Sequence, residues 1–372
     1  GEGSYRYTHP QTRHELRRLG SEVGEPLGPM LLQVPDRPSD VAFLESFASQ
    51  MFARRGTYGW GNGWSGDAYQ VLMWAHLQPE IVFDETVIKR GLDGFRVLAM
   101  MDCDVLTAGV VAKVKAFQSK GGIVIGDERL CPAITADITL KSCARTRKAA
   151  ADREALIAQA EELRKALDGR YHPYGDATTA DVVTRCRACG TTDYLFAVND
   201  RREFGDYVGQ HGLVMENGLP SDGTLSLGRK RGYVYDLVAG RELETDSRRG
   251  RLQIRRSFGP CEGCVLMVSD QAIGGVTIAA GNAVERGASL ACRISVVGED
   301  PKPIAAVVPI RVDIVDPAGC ASEWSGYYGA KDGLLDVTLN LAKNDRVGLW
   351  QIRAKELASG RESIAYFRVA QQ

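Results

Sequence analysis

Hydrophobic residues between positions 95 and 128 form an apolar run, a helical repeat and a second apolar run. Residues 95–101 (FRVLAMM) are apolar enough for a fully buried strand. Thr107 is a suitable helix N-cap, and Gly121 and Gly122 suit its end. Between them, apolar positions recur at helical spacing: Val110, Val111, Val114 and Phe117. With a third segment, residues 123–125, the pattern predicts a right-handed strand–helix–strand crossover in a parallel sheet.

The same alternation of strand and helix patterns continues on the amino-terminal side of this crossover. Strands are predicted at residues 30–34, 41–44 and 81–83, and helices at residues 48–53, 68–77 and 86–90, with Asp67 as a cap. Residues 28–142 are therefore predicted to form a layered α/β domain of flavodoxin-like type. Residues 1–27 are a polar, basic lead-in segment with a short helical pattern at residues 14–19.

One long amphipathic helix is predicted after this domain. Leu156, Ala160, Leu163 and Leu167 fall on one face of a helix, and Gly169 stops it. We interpret residues 143–172 as a connecting helix that lies on a neighbouring element.

The hydrophobic pattern changes after Pro173 to short alternating runs separated by Gly, Asp and Asn. This pattern is typical of β-sandwiches. Residues 173–270 are predicted to form one sandwich. Residues 271–372 begin with a linker and are predicted to form a second, immunoglobulin-like sandwich.

The amino-acid composition argues against some classes of binding partner. Lys plus Arg number 46 against 47 Asp plus Glu, which argues against a nucleic acid or an acidic membrane surface. No apolar run approaches the roughly 18 residues of a membrane span. No signal peptide is visible, and because the chain begins with Gly1 it is interpreted as an excised fragment. Its compartment, including export, therefore stays open.

Cysteine spacing suggests a structural metal site. The nine cysteines are an odd number, which excludes a fully disulfide-bonded monomer. Four of them form two C-x-x-C pairs, Cys186 with Cys189 and Cys261 with Cys264. If the strands that follow the pairs were parallel neighbours, the four thiolates could hold one structural zinc. Disulfides and unrelated free thiols are the alternatives.

A glycine-rich loop presents three large aromatic residues, Tyr58, Trp60 and Trp64. Flat rings on such a loop can stack on sugar faces or occupy a subunit interface. The alternative is that they fold back on the core of the domain. No phosphate-binding pattern accompanies the glycines.

No catalytic constellation is evident. Cys103 follows a predicted strand, but Asp102 and Asp104 flank it and would raise the pKa of its thiol. Carboxylates near other strand ends, such as Asp84 and Asp127, are not paired by any pattern in the sequence.

Three segments of the first domain resemble the trimerisation domain of bacterial β-galactosidases. They are FRVLAMM (95–101), TAGVVAKVKAFQSKGG (107–122) and IVIGDE (123–128). That family is related to class I glutamine amidotransferases and has lost their nucleophile. Residues 194–199, 234–242 and 258–260 resemble the small sandwich that closes many glycoside hydrolases. Residues 308–317 and 342–350 resemble an immunoglobulin or macroglobulin-type module.

The order of these segments is similar to the non-catalytic half of a large multidomain glycoside hydrolase. No catalytic barrel of about 250 residues fits in the chain. The resemblance therefore implies an accessory region of a bacterial protein of carbohydrate metabolism. Its expected partners are copies of itself, neighbouring domains or a carbohydrate. The competing hypothesis is a hydrolase with an atypical site near the loop at residues 58–64, at the strand ends marked by Asp84, Asp102 and Asp127.

Overall fold

The computed structural model describes residues 10–53, 64–146, 148–208 and 213–371. Helices lie before residue 170, and the described chain beyond that point is built of strands and their connections. The fold is therefore multi-sheet and mostly β, with its helices gathered around the first sheet.

A five-stranded sheet organises the first part of the chain. All of its pairings are parallel, and its strand order is β2-β1-β3-β4-β5. The strands are β1 (Val41–Glu45), β2 (Glu80–Phe83), β3 (Val97–Met100), β4 (Ile123–Gly126) and β5 (Ile138–Thr139). Helices lie in the connections from β1 to β2, from β2 to β3 and from β3 to β4, whereas the shorter connection from β4 to β5 contains none.

Helices cover both faces of this sheet and create two separate cores. The helices that follow β1 in the chain are α3 (Phe47–Phe52), α4 (Trp64–Trp74), α5 (Asp84–Arg90), α6 (Ala108–Ser119) and α7 (Ala149–Leu167). Side chains from α4 and α7 pack on one face, and side chains from α5 and α6 pack on the other. We refer to the sheet with these helices as the α/β region.

The central crossover has the predicted end signals. Thr107 caps α6, because its hydroxyl accepts a hydrogen bond from the Val110 amide at 3.4 Å. Gly121 has φ +90°, a conformation that glycine adopts without strain. In α7, the four predicted apolar positions, Leu156, Ala160, Leu163 and Leu167, are all buried. Asp67 is not a cap, because α4 already begins at Trp64; Asp67 instead pairs with Arg145.

Two sheets in the middle of the chain enclose a common apolar core. One has the order β13-β12-β16-β8-β7, the other β14-β15-β11-β6, and β9 and β10 form a separate hairpin. The strands are β6 (Gly175–Ala177), β7 (Val182–Cys189), β8 (Thr192–Asn199), β9 (Arg202–Val208), β10 (Leu213–Gly218), β11 (Ser221–Leu227), β12 (Tyr233–Asp236), β13 (Arg241–Leu243), β14 (Asp246–Arg248), β15 (Arg251–Phe258) and β16 (Gly263–Ser269). We call these sheets the middle sandwich.

Two further sheets form the C-terminal sandwich, with orders β17-β19-β22 and β18-β24-β23-β20-β21. Their strands are β17 (Gly275–Ala280), β18 (Ala283–Glu285), β19 (Ser289–Val297), β20 (Val308–Val315), β21 (Gly326–Ala330), β22 (Leu334–Asn340), β23 (Gly348–Glu356) and β24 (Glu362–Ala370). The Tyr194 hydroxyl joins the two sandwiches, because it bonds both the amide and the carbonyl of Val307.

The amino-terminal segment is helical and packs on the C-terminal sandwich. It comprises α1 (Pro10–Leu19), a π-helical turn (Gly20–Gly24) and α2 (Glu25–Leu31). Leu27 and Met30 of α2, and Val34 beyond it, are buried in the core that the two sandwiches share. The predicted strand at residues 30–34 is therefore wrong, since Leu27, Met30 and Val34 follow helical spacing and dock as a helix does.

None of the helices in the described ranges is both long and apolar enough to cross a membrane.

Candidate functional site

The carboxyl ends of the parallel strands are the first place to look for a site, because open α/β sheets bind ligands there. Cys103 follows β3 and is 1% exposed. Its Sγ lies 3.4 Å from the Met101 carbonyl and 3.7 Å from the Leu44 carbonyl, to which a protonated thiol donates. Burial, and then the negative charge of Asp127, raise the pKa of the Cys103 thiol well above its ordinary value. The side chain is therefore a neutral core thiol rather than a nucleophile.

No imidazole accompanies this thiol among the described residues. His14 lies in α1 and His172 in the connection before β6. His76 follows α4 and precedes β2, which puts it near the opposite, amino edge of the sheet. The Cys–His pair that nucleophilic catalysis needs is thus not assembled in this part of the chain.

Asp127, just after β4, accepts three hydrogen bonds at the carboxyl edge of the sheet. Its Oδ2 accepts from the Trp64 indole at 2.8 Å and from the Asp102 amide at 2.8 Å, and its Oδ1 accepts from the Arg129 amide at 3.0 Å. Asp102 has φ +55° and pairs with Arg129 at 2.9 Å. The Asp127 carboxylate is 4% exposed and fully hydrogen-bonded, which is a structural role.

Asp84, the first residue of α5, connects β2 to α3. Its Oδ2 accepts from the Ser46 hydroxyl and from the Ala48 amide, each at 3.1 Å. The Asp84 side chain is 92% buried by this packing, since the residue is only 8% exposed. Its Oδ1 has no hydrogen-bond partner among the described residues.

Of the three aromatic residues of the glycine-rich loop, the structure describes only Trp64. Tyr58 and Trp60 lie outside the described residues, so their predicted contacts remain predictions. Trp64 begins α4, is 2% exposed and packs in the core behind the sheet. Its ring is therefore not presented to a ligand or a partner, and the alternative of folding back on the core describes it. This corrects the expectation that Trp64 is a contact residue.

The four cysteines of the predicted zinc site do not converge. Strands β8 and β16 are antiparallel, not parallel, and Cys189 and Cys261 adjoin opposite ends of the eight-residue strand β8. Cys186 and Cys264 are buried on either side of β8, and burial raises the pKa of each thiol to about 12. One ion cannot reach all four sulfurs, because β8 alone spans about 25 Å at a rise of about 3.3 Å per residue.

All nine cysteines are free in the structure. The part of the chain that the structure describes contains no group of three or more His, Cys, Asp or Glu side chains that could hold a metal. The geometric condition for the zinc prediction is thus not met within one chain, and metal analysis of the purified protein is its direct test.

Large apolar side chains are exposed along one margin of the α/β region. We call this margin the apolar edge; it consists of Phe47, Met51 and Phe52 of α3, Ile81 and Phe83 of β2, and Ile88 of α5, which are 43–73% exposed. The hydrogen bond between the Asp84 carboxylate and the Ala48 amide connects the start of α5 to α3. β2 is also a terminal strand of its sheet, so one side of its backbone is unpaired.

Comparison with known proteins identifies no family. Neither a family model nor a curated protein matches the sequence. Solved structures similar to the chain include α-L-fucosidase isoenzyme 2 from Paenibacillus thiaminolyticus, at 13% identity and a TM-score of 0.47, covering 70% of this chain and 53% of that one. A β-galactosidase from Bacillus circulans sp. alkalophilus has 12% identity and a TM-score of 0.42, covering 70% and 46%.

A third similar structure is Gan42B, a GH42 β-galactosidase from G. stearothermophilus, with 12% identity, a TM-score of 0.37 and coverage of 62% and 40%. The chain thus spans about half the length, or less, of these glycoside hydrolases. Likeness at this level assigns neither an activity nor a substrate to the chain.

Proposed function

We propose that this chain is a non-catalytic accessory region of a glycoside hydrolase-like protein. The carrying observation is Cys103: the thiol at the expected nucleophile position is buried, protonated and bonded to backbone carbonyls. The neighbouring carboxylate of Asp127 is fully engaged in holding the loops around it. In this proposal the α/β region supports oligomerisation and the sandwiches act as spacers or as a scaffold on the carbohydrate side.

The finer fold assignments belong to the same proposal. The strand order β2-β1-β3-β4-β5 is the flavodoxin-like order, which supports an amidotransferase-like α/β domain. The immunoglobulin-like assignment of the C-terminal sandwich is supported by its two facing sheets of three and five strands. Both agree with the resemblance to the β-galactosidase trimerisation domain and the modules that follow it.

Hydrolysis of a panel of aryl glycosides tests the non-catalytic role. We expect no turnover above the buffer rate from the purified chain. Robust turnover would overturn the proposal and favour the competing one, a hydrolase site at the carboxyl edge. The observation that favours this second candidate is Asp84, a buried carboxylate with one oxygen unpaired among the described residues. An Asp84→Asn variant would then lose the turnover, whereas Glu85→Gln, on the exposed face of α5, would keep it.

The apolar edge is the surface we assign to oligomerisation. Contiguous exposed apolar side chains of this kind mark interaction sites. The occupant we favour is a second copy of the chain, because α5 carries exposed Glu85 in its first turn and Lys89 and Arg90 in its last. Opposite charges at the two ends of one exposed helix are complementary when identical surfaces meet in antiparallel orientation.

Light scattering coupled to size-exclusion chromatography tests this surface. We expect the wild-type chain to be oligomeric and the double variant Phe52→Ser/Phe83→Ser to be monomeric at the same concentration. The matched control is Leu349→Ser/Tyr366→Ser, which removes two exposed apolar side chains from the C-terminal sandwich. A wild-type chain that stays monomeric at about 100 µM would contradict the assignment.

A further inference from the structure

Two cavities lie along the junction between the α/β region and the middle sandwich. The first has a volume of about 570 Å³ and is lined by residues 36–40 before β1, residues 76–79 and Glu80 at the start of β2, Tyr171, residues 173–175, and Arg185 and Cys186 of β7. The second, of about 580 Å³, is lined by the face of α7 and residues 177–181. Volumes of this size are typical of small-molecule sites, which range over about 300–1,000 Å³.

His76 is the residue that the two linings share. It is 3% exposed, and its Nδ1 has no hydrogen-bond partner within the described ranges. The ring also interacts with the backbone of Thr179. Burial lowers the pKa of His76, so the ring is uncharged at neutral pH, with one nitrogen as donor and the other as acceptor. Nδ1 is therefore a buried hydrogen-bonding atom whose capacity no described residue uses.

The wall around His76 is held from both sides of the junction. His76 has φ +60° and Gln78 has φ +49°, a strained conformation for residues other than glycine. The Gln78 side chain donates to the Thr184 hydroxyl at 3.1 Å and accepts from the Cys186 amide at 3.1 Å, while its carbonyl accepts from Ser39 at 2.9 Å. Strained backbone conformations that surrounding contacts hold in place are common at preorganised binding sites.

Two tyrosine side chains, Tyr174 and Tyr171, complete this wall of the cavity. The Arg37 guanidinium lies 3.5 Å above the ring of Tyr174, whose hydroxyl donates to Asp193 at 2.7 Å. The Tyr171 hydroxyl donates to Asp40 at 2.6 Å. Both rings are therefore held in place by contacts within the protein, so ordering them on ligand binding would cost little free energy.

Charge selects the class of ligand. The first cavity is lined by three carboxylates, Asp36, Asp40 and Glu80, and by two guanidinium groups, Arg37 and Arg185. The cationic groups are already paired, Arg37 with Asp193 and Arg185 with Asp36. An anionic ligand would meet a net negative lining. An uncharged molecule with several hydroxyl groups could donate to the carboxylates and to His76 without desolvating a charge of its own.

We propose that the junction cavity binds a neutral, hydroxyl-rich small molecule of the saccharide class, with one ligand hydroxyl donating to Nδ1 of His76. This site goes beyond the accessory role proposed above and uses no residue of the apolar edge or of the carboxyl edge. The proposal therefore stands or falls independently of oligomerisation and of the absence of turnover.

Calorimetric titration of the full chain with lactose and with sucrose tests the proposal. We expect saturable binding of at least one disaccharide with a dissociation constant of about 1 mM or below, and no saturable binding of glycerol. Titration of both disaccharides to about 50 mM without saturation would mean that the cavity holds water only, and would overturn the proposal.

Variants locate the binding. His76→Phe removes the acceptor at similar volume, and we expect it to weaken binding by about tenfold or more. Glu80→Lys changes an exposed residue of the rim without disturbing the core, and we expect it also to weaken binding. His172→Asn is the matched control: His172 is exposed, lies between two lining residues and is not itself part of the lining. Unchanged affinity in both His76→Phe and Glu80→Lys, with thermal melting showing folded proteins, would overturn the proposal.

Discussion

The two edges of the parallel sheet differ in how closely the surrounding segments pack against them. At the carboxyl edge, Asp127 takes three hydrogen bonds from its own surroundings, and Cys103 is sealed beneath the loops. At the amino edge, the sheet meets a second domain across cavities, and the buried Nδ1 of His76 has no described partner. Parallel sheets usually place ligands at the carboxyl edge. Each edge has one such atom, since Asp84 Oδ1 at the carboxyl edge also lacks a partner among the described residues, but His76 is the residue that lines both junction cavities.

The largest expected effect comes from removing Asp127 from the carboxyl edge. In Asp127→Ala the buried Trp64 indole and the Asp102 amide both lose their acceptor. We expect a loss of about 3 kcal/mol in the free energy of unfolding, measured by urea denaturation. Asp127→Asn keeps one carbonyl acceptor and should lose less. Because the role is structural, the folded fraction of either variant should bind disaccharide as the wild type does.

A loss below about 0.5 kcal/mol in Asp127→Ala would show that Asp127 does not hold the edge together. Asp127 would then have no demonstrated structural role at the carboxyl edge and would again be a candidate catalytic carboxylate.

Thiol labelling measures how well the carboxyl edge is sealed. Cys261 and Cys320 are exposed, whereas Cys103 is buried and its pKa is raised by burial. With a maleimide at pH 7.5, we expect Cys103 to react at least about a hundredfold more slowly than these two, since it is reached only by unfolding. Mass spectrometry of peptides after timed quenching reads each site separately. Equally fast labelling of Cys103 would indicate an accessible thiol and would favour the hydrolase hypothesis.

A smaller effect concerns His76 at the amino edge. Its pKa is lowered in the folded protein, mainly by burial and further by Arg164, while Asp176 opposes this shift. The unfolded chain therefore binds more protons than the folded one just below the ordinary histidine pKa of about 6.5, and stability falls as the pH is lowered through that region. We expect this contribution to reach no more than about 1.4 kcal/mol per pH unit.

Melting temperatures at pH 7.5, 6.5 and 5.5 measure this contribution. His76→Phe should flatten the decline relative to the wild type, and the exposed control His172→Asn should leave it unchanged. An unaltered decline in His76→Phe would mean that His76 is not buried as a neutral ring.

Local sequence signals correctly predicted features that depend on residues close together in the chain. The Thr107 cap, the turn at Gly121 and the four buried positions of α7 are found as predicted, because caps and amphipathic faces are encoded within a few residues. The strand predicted at residues 30–34 is wrong, because α2 runs through Leu31, and Leu27, Met30 and Val34 carry helical spacing. The proline residues of α2, Pro26 and Pro29, obscure that signal.

The candidate site depends on contacts between residues far apart in the chain, which local sequence patterns do not predict. The sequence predicted a raised thiol pKa for Cys103 from its acidic neighbours Asp102 and Asp104. In the structure the pKa of this thiol is raised chiefly by burial, and Asp102 contributes least of the causes. The sequence did not indicate that β8 and β16 run antiparallel, which separates the two C-x-x-C pairs. Nor did it indicate the fate of Trp64, whose indole is held by a carboxylate 63 positions away.

The sequence by itself determined the alternation of strand and helix in the first part and the change to short strands after Pro173. Only the tertiary structure decided which strands are neighbours, which polar groups are satisfied and where space remains. The physical reason is range: propensity, capping and periodicity act over a few residues. The junction cavity instead requires residues 36–40, 76–80, 173–175 and β7 to meet, and the way those segments pack leaves Nδ1 of His76 without a partner among the described residues.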